Sequence, residues 1–153
     1  MTIEVSKNLI VAAEDEPVDA MMLERAFRKA GLSQKLLILP DGDALFDYLS
    51  GQGNYSDREQ HPLPILLLLD LKLPRRSGLE VLEWLRQQPG LKRLPVVVLT
   101  SSRESKDVTR AYDLGANSYL VKPVEFEALL QMMKAVGLYW LVMNEKPQME
   151  DIV

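Results

Sequence analysis

The sequence predicts a doubly wound α/β fold, in which helices cover both faces of a parallel sheet. Short apolar runs alternate five times with segments of helical periodicity, which is the pattern of parallel strands joined by crossover helices. The middle three runs are nearly continuous in Leu, Ile or Val, as is typical of strands covered on both faces. The predicted strands are residues 8–13, 35–39, 65–69, 95–99 and 118–121.

Apolar residues at helical spacing follow the predicted strands. The three clearest stripes lie within residues 23–30, 45–49 and 81–85. Pro17 stands where a first helical residue belongs, and Gly31 and Gly115 stand where left-handed residues would end the first and fourth helices. Residues 51–64 are rich in Gly, Pro and polar side chains, so we expect a mobile surface loop there.

Composition and charge restrict the classes of partner. The 153 residues suit one domain, and the net charge of -4 predicts no broad attraction to nucleic acid. The chain has no Cys and a single His, His61, which excludes disulfides, thiolate zinc sites and imidazole metal clusters. The amino end does not resemble a secretory signal, and the apolar runs are far shorter than a membrane span of about 20 residues. We therefore expect a cytoplasmic protein without membrane contact.

Three carboxylates stand where predicted strands end. Glu14 and Asp15 follow the first strand, and Asp70 follows the third. Open parallel sheets bind their ligands at this edge, so one crevice can hold all three side chains. Close carboxylates repel one another unless a cation balances them, and oxygen ligands without Cys or His favour Mg2+. The pattern therefore predicts a Mg2+ site.

Two further polar side chains, Thr100 and Lys122, follow the fourth and fifth strands. A single acid after a strand is most simply a solvated turn residue, but five complementary side chains at four strand ends favour phosphate chemistry. Lys122 and Mg2+ would offset charge on a transferring phosphoryl group, Thr100 would donate a hydrogen bond to it, and Asp70 would be the nucleophile. The Lys122–Pro123 bond is a candidate cis peptide that would aim the lysine inward.

This set of residues resembles the receiver domain of two-component response regulators, and the resemblance covers residues 8–140. The matching motifs are Glu14-Asp15 after the first strand, Asp70 in Leu-Asp-Leu-Lys-Leu-Pro, Gly78 opening the third helix, Thr100 in Val-Leu-Thr-Ser, and Lys122-Pro123 in Tyr-Leu-Val-Lys-Pro. The resemblance implies one receiver domain over residues 1–153, with 141–153 as a C-terminal tail. The implied fold is flavodoxin-like, with strand order 2-1-3-4-5, five helices and an extended last helix.

The resemblance also implies roles for individual residues. Asp15, Asp70 and the backbone carbonyl of Lys72 would bind Mg2+, with Glu14 acting through water. Asp70 would accept a phosphoryl group from a sensor histidine kinase or a phosphotransfer protein. The protein would not be an enzyme, apart from self-catalysed phosphorylation and dephosphorylation.

The implied conformational readout is a pair of residues, Thr100 and Tyr119. On phosphorylation, the Thr100 hydroxyl would move toward the phosphoryl group and the Tyr119 ring would turn into the vacated space. Taken alone, Tyr119 is most simply a half-buried strand aromatic. Because no DNA-binding or catalytic segment follows the receiver, we expect signalling by protein contact.

Some features are similar to those of small single-domain receivers associated with bacterial and cyanobacterial phytochromes. They are the phrase Leu-Lys-Arg-Leu-Pro-Val-Val-Val-Leu-Thr-Ser-Ser, the long loop before the third strand, and Tyr139-Trp140-Leu141. A phytochrome kinase is therefore an expected partner.

Two residues depart from the common receiver pattern: Lys72 replaces a frequent Asn, and Ser77 replaces an Asp. The Lys72 ammonium either lies near the phosphoryl group, where it would alter phosphoryl lifetime, or points to solvent.

Residues 125–144 predict a last helix roughly 30 Å long, more than a small sheet needs. One apolar stripe contains Phe126, Leu129, Leu130, Met133 and Trp140. A second stripe, which we expect to be open, contains Met132, Val136, Tyr139 and Met143. An exposed apolar stripe suggests a symmetric homodimer, unless the tail after Pro147 folds back over it.

Two other functions stay open at this point. A phosphatase of the haloacid dehalogenase type also uses a nucleophilic Asp with Mg2+, but it needs a second acid two residues later, where this chain has Lys72. A receiver-shaped scaffold would bind partners without phosphorylation, which typically follows loss of the pocket acids or the lysine, and none is lost here. Nucleotide binding is not expected, because no glycine-rich phosphate loop follows the first strand.

Overall fold

A parallel five-stranded sheet forms the centre of the molecule. The structure, a computed structural model, describes residues 2–3 and 9–150. The strands are β1 (Thr2–Ile3), β2 (Leu9–Ala13), β3 (Lys35–Leu39), β4 (Leu66–Leu69), β5 (Val96–Thr100), β6 (Ser118–Val121) and β7 (Met149–Glu150). The main sheet has the order β3-β2-β4-β5-β6 with all pairs parallel, while β1 and β7 form a separate antiparallel pair. Counted within the main sheet, this is the predicted order 2-1-3-4-5, so the fold prediction is confirmed.

Helices cover both faces of the main sheet. They are α1 (Pro17–Lys29), α2 (Gly42–Ser50), α3 (Gly78–Gln87), α4 (Ser105–Asp113) and α5 (Phe126–Val136), which a π-helical segment, Gly137–Met143, continues. On one face, α1 and α5 bury Ala26 and Met133, and on the other face α2 and α3 bury Leu45 and Leu82. The three central strands, β2, β4 and β5, are buried on both sides, which explains their almost wholly apolar sequences.

The predicted helix boundaries agree with the structure. Pro17 is the first residue of α1, where its missing N–H leaves no helical hydrogen bond unmade. Gly31 and Gly115 follow α1 and α4 with φ angles of 77° and 103°, in the left-handed region that glycine adopts without strain. Strand ends differ from the prediction by one residue at most, which is within the usual variation of such assignments.

The connection between α2 and β4 is more firmly anchored than the predicted mobile loop. The Arg58 guanidinium donates to the carbonyl oxygens of Tyr48 and Leu49, both at 2.8 Å. A short 3-10 turn, Gly53–Tyr55, brings the Tyr55 ring 5.0 Å from that of Tyr48. Leu63 is fully buried. The polar composition correctly predicted a connection on the surface, but it did not reveal these anchors.

The last helical segment exposes a different apolar set from the predicted one. Val136 and Leu141 are buried, and Met132 is half-buried against the core, although Met132 and Val136 were expected on the open stripe. The exposed apolar side chains are Leu138, Tyr139, Val142 and Met143, at 57%, 53%, 73% and 65% exposure, and we call them the C-terminal patch. Val136 lies three residues after buried Met133 and shares its face. Beyond it, in the π-helical segment, Tyr139 and Met143 are exposed as expected, and Leu138 and Val142 are exposed beside them.

The tail folds back, but onto another part of the molecule. Met149 is buried in the cluster formed by α2, α3 and the sheet, rather than over the C-terminal patch. Residues 151–153, which were also expected to be able to cover the patch, lie outside the described residues. By length and composition alone, Phe126–Met143 is long and apolar enough to cross a membrane. Its Leu129 and Met133 pack on the sheet, however, as the side chains of core helices do.

Candidate functional site

The three predicted carboxylates meet at the carboxyl edge of the sheet. Glu14 and Asp15 directly follow β2, and Asp70 directly follows the neighbouring strand β4. The Asp70 N–H donates to the Ala13 carbonyl at 3.2 Å, which extends the strand pairing into the site. One carboxylate oxygen from each acid lies within 4.8 Å of the other two. Glu14 and Asp70 are only 5% and 6% exposed, so their charges must be balanced locally.

Lys122 provides part of that balance. It follows β6, and its Nζ lies 2.8 Å from Asp70 Oδ2, 3.3 Å from Asp19 Oδ2 and in an ion pair with Glu14. Burial alone would lower the pKa of Lys122, but its hydrogen bonds and attraction to Asp70 and Glu14 outweigh burial and raise the pKa above its usual value. Burial raises the pKa of Glu14 in spite of Lys122. The Lys122–Pro123 bond is trans, so the candidate cis peptide is absent from this structure.

Thr100 contacts the other oxygen of Asp70. It is the last residue of β5 and is 1% exposed, and its hydroxyl donates to Asp70 Oδ1 at 2.9 Å. The Lys72 backbone N–H donates to the same oxygen at 3.2 Å. Both Asp70 oxygens therefore have partners, and no buried side-chain nitrogen or oxygen among the described residues lacks one.

The two departures from the receiver pattern have different surroundings. The Lys72 side chain is exposed. Ser77 caps α3, since its hydroxyl accepts from the Glu80 N–H at 3.2 Å. Gly78 is buried against the backbone of Asp70, and a Cβ at this position would overlap the Asp70 carbonyl. A glycine is therefore needed for α3 to begin this close to the acid.

Tyr119 lies beside the site without touching Asp70. It is half-buried on β6, packs against Leu71, Val98 and Ala111, and donates its hydroxyl to the Ser102 carbonyl at 3.0 Å. Burial raises the pKa of Tyr119. The pair proposed as a readout thus lies on neighbouring strands, with Thr100 at the end of β5 and Tyr119 on β6.

The sequence reading missed three residues near the site. Asp19, in the first turn of α1, contacts Lys122 across 103 residues of the sequence, a separation that no local signal bridges. The Ser102 hydroxyl donates to Asp107 Oδ2 at 2.5 Å and accepts from a backbone N–H at 3.3 Å, so it fixes the start of α4. No sequence motif indicated that pair.

The donor chemistry of the cluster fits a divalent cation. Three carboxylates with an oxygen-only donor set are what Mg2+ and Mn2+ bind, and Lys122 supplies only one compensating charge. With Asp19 also present, the acids outnumber the lysine by four to one. The residues are therefore compatible with a metal ion of charge two.

The fold and these side chains have the arrangement expected of a receiver domain, and the comparisons agree. The chain belongs to the response regulator receiver domain family, whose model matches residues 10–134. This confirms the resemblance stated from the motifs.

Among individual proteins, the chain is similar to several regulators, one of which is a phytochrome response regulator. It is 39% identical over 133 residues to response regulator Rcp1 of Synechocystis sp., covering 87% of this chain and 88% of Rcp1. The Mn2+-bound structure of Rcp1 has a TM-score of 0.82 at 38% identity, covering 92% of this chain and 99% of that one. The phosphorylated cyanobacterial phytochrome response regulator RcpA has a TM-score of 0.85 at 33% identity, covering 92% and 98%. The probable methanogenesis regulatory protein FilR2 of Methanothrix harundinacea is also 39% identical over 139 residues, covering 91% of this chain and 87% of FilR2.

Proposed function

We propose that this protein is a response regulator that accepts a phosphoryl group on Asp70. One observation carries the proposal: a buried carboxylate has Lys122 on one oxygen and Thr100 on the other, beside two further acids. A lysine and a hydroxyl in these positions suit the oxygens of a phosphoryl group attached to Asp70. A purely structural ion pair would not need the additional acids.

The chemistry follows from these positions. An Asp70 oxygen attacks the phosphorus of a phosphorylated histidine on the donor protein. The bond from this oxygen to phosphorus forms, and the bond from phosphorus to the histidine nitrogen breaks. Lys122 and Thr100 then hold two phosphoryl oxygens. Asp15, Asp70 and the Lys72 carbonyl would hold Mg2+, with Glu14 acting through water. Bound Mg2+ would offset negative charge on the phosphoryl group and the acids.

The same site suggests how phosphorylation is read out. A phosphoryl group on Asp70 draws the Thr100 hydroxyl toward its oxygens. Tyr119, whose hydroxyl bonds to the loop after β5, follows that loop. The surface of α4, β5 and β6 then changes between two arrangements. Signalling by contact through this surface requires no further domain.

We infer a sensor histidine kinase or phosphotransfer protein as the donor, in the cytoplasm. The similarity to Rcp1 and RcpA supports a phytochrome kinase in particular. FilR2 has the same 39% identity to this chain, but it is named for methanogenesis. The relatives therefore support the class of phosphoryl donor more strongly than they support a particular stimulus.

We further propose a homodimer formed through the C-terminal patch. The patch presents four apolar side chains that are more than half exposed on one helical segment. A second copy of the same surface would cover them symmetrically. Sedimentation tests this assembly, and a monomer at high micromolar concentration would remove the proposal.

The central test is phosphorylation of the full chain with acetyl phosphate and Mg2+, followed by intact mass. We expect wild type to gain one phosphoryl group, and Asp70→Asn and EDTA-treated wild type to gain none. Asp113→Asn, which removes an exposed acid on α4, is the matched control and should behave as wild type. No adduct from acetyl phosphate or a phosphorylated kinase would favour the scaffold. Sustained hydrolysis of a phosphomonoester would favour a phosphatase.

A further inference from the structure

The segment between Asp70 and α3, residues 71–77, lies directly on the first turn of α2. The Gly42 N–H donates to the Pro74 carbonyl at 3.1 Å. A Cβ at Gly42 would overlap the Arg76 carbonyl, so only glycine permits this approach. On its other side the segment ends at buried Gly78, which touches the backbone of Asp70. The segment is therefore enclosed between the starts of two helices.

Arg76 joins this segment to α2 through its side chain. Its Nε lies 3.0 Å from Asp43 Oδ1, and its guanidinium lies 3.7 Å from the centre of the Phe46 ring. The Phe46 ring in turn packs 4.5 Å from that of Trp84 on α3. One side chain thus combines an ion pair with stacking on an aromatic face, a combination for which arginine is suited and lysine less so.

The neighbouring Arg75 shows that the segment is constrained. Its φ angle of 69° is the only positive one at a non-glycine residue in the described part of the chain. Such a backbone persists only where the surroundings determine it. Arg75 Nε lies 3.6 Å from Asp41 Oδ2, and Asp41 also caps α2 by accepting from Ala44. The first turn of α2 therefore contacts two successive residues of the segment.

We infer that Arg76 is a positioning residue for the divalent cation site, acting through its contacts with α2. The inference rests on the proposed function, because Lys72, whose carbonyl would bind Mg2+, belongs to the same segment. The Lys72 N–H donates to Asp70 Oδ1 at 3.2 Å. A shift of the segment would therefore move the Lys72 backbone relative to the acids. Groups that orient a ligand without touching the metal commonly affect metal affinity.

The sign of the effect separates positioning from charge. Arg76→Ala removes a positive charge near the acids, so charge alone would make Mg2+ bind more tightly. Positioning predicts the opposite, with Mg2+ affinity falling by about tenfold. Phe46→Leu leaves all charges unchanged and should weaken Mg2+ binding by about threefold. Arg76→Lys keeps the ion pair with Asp43 and should fall between wild type and Arg76→Ala.

The experiment is calorimetric titration of the full chain with Mg2+, with melting temperatures measured without metal. Arg93→Ala is the matched control, because it removes an equally charged, exposed side chain before β5, at the opposite edge of the sheet. We expect it to bind as wild type does. If Arg76→Ala does not fold, the Mg2+ affinities of Phe46→Leu and Arg76→Lys test the inference in its place. Wild-type binding together with unchanged or tighter binding by these variants overturns the inference alone, whereas absence of Mg2+ binding by wild type overturns the proposed function as well.

Discussion

Charged side chains are buried at the carboxyl edge of the sheet, while apolar side chains are exposed at the end of the C-terminal helix. Glu14 and Asp70 are 5% and 6% exposed, whereas Val142 and Met143 are 73% and 65% exposed. Both regions depart from the usual distribution, in which charges lie outside and large apolar groups inside. They differ in how the departure is compensated.

The acidic site is compensated in part from within the chain. Lys122 contacts Glu14 and Asp70, and Thr100 completes the hydrogen bonds of Asp70. The C-terminal patch has no such partner among the described residues, and buried Met149 shows that the tail turns elsewhere. A site whose charges are partly paired within the chain can be altered by one added charged group, whereas an uncovered apolar surface requires a second molecule.

Removing Lys122 should break the internal balance and give the largest effect. We expect Lys122→Ala to lower the rate of phosphorylation by acetyl phosphate at least about a hundredfold, because the phosphoryl oxygens lose a fixed charge. In the absence of metal, the free energy of unfolding should fall by about 3 kcal/mol, since buried carboxylates are left uncompensated. Intact mass against time and urea denaturation measure the two effects.

Lys134→Ala is the matched control for that variant. Lys134 is exposed on α5, so its removal should change the free energy of unfolding by less than about 0.5 kcal/mol. Saturating Mg2+ should restore stability to Lys122→Ala more than it adds to wild type, because the dication supplies positive charge to the acids. Equal stability of Lys122→Ala and Lys134→Ala without metal would show that the ion pairs contribute nothing.

Placing charges on the C-terminal patch tests whether this surface forms the homodimer contact. We expect the double variant Val142→Lys, Met143→Lys to weaken the homodimer by at least about thirtyfold, or ~2 kcal/mol, because two ammonium groups would be forced together across the symmetric contact. Analytical ultracentrifugation measures it. The pair Val18→Lys, Met21→Lys on α1 removes the same residue types at 61% and 54% exposure and should leave the dimer intact. Equal weakening by both pairs would place the contact elsewhere.

Removing the Thr100 hydroxyl should alter the site without changing its charge. Thr100→Val keeps the branched shape but loses the donor to Asp70 Oδ1, which lies 2.9 Å away. We expect phosphorylation to slow by about tenfold, corresponding to roughly 1.4 kcal/mol in the barrier. Thr100→Ser, which keeps the hydroxyl, should stay within about threefold of wild type. A Val variant as fast as the Ser variant would remove Thr100 from the mechanism.

The acidic site was more predictable from sequence than the C-terminal patch. Strand ends of a parallel sheet share one edge, so the order of residues along the chain already placed Asp70, Thr100 and Lys122 together. Their distances and the contact of Asp19 with Lys122 depend on tertiary packing and could not be read from the motifs. The patch was misassigned at Val136, which lies in the α-helical part of the segment, three residues after buried Met133, and shares the face of Met133.

The contacts of Arg75 and Arg76 were also beyond the sequence reading. Paired arginines in a loop are most simply solvated, and no role could be given to them. Their partners Asp41 and Asp43 lie at the start of α2, more than 30 residues earlier in the chain, and the close approach at Gly42 brings the two segments together. Contacts that depend on such an approach leave no periodic pattern in the sequence.

Lys72→Asn changes an exposed side chain next to the buried site. Its effect, on the rate at which the phosphoryl group is lost, should be the smallest of the four. The Lys72 side chain is exposed, while its backbone N–H bonds to Asp70. We expect the phosphoryl group to be lost about threefold faster, because the shorter side chain lets water approach phosphorus more freely. Decay of phosphorylated protein by intact mass measures this rate. Lys106→Asn, on exposed α4, should decay as wild type, and equal rates for both variants would mean that the Lys72 ammonium stays in solvent.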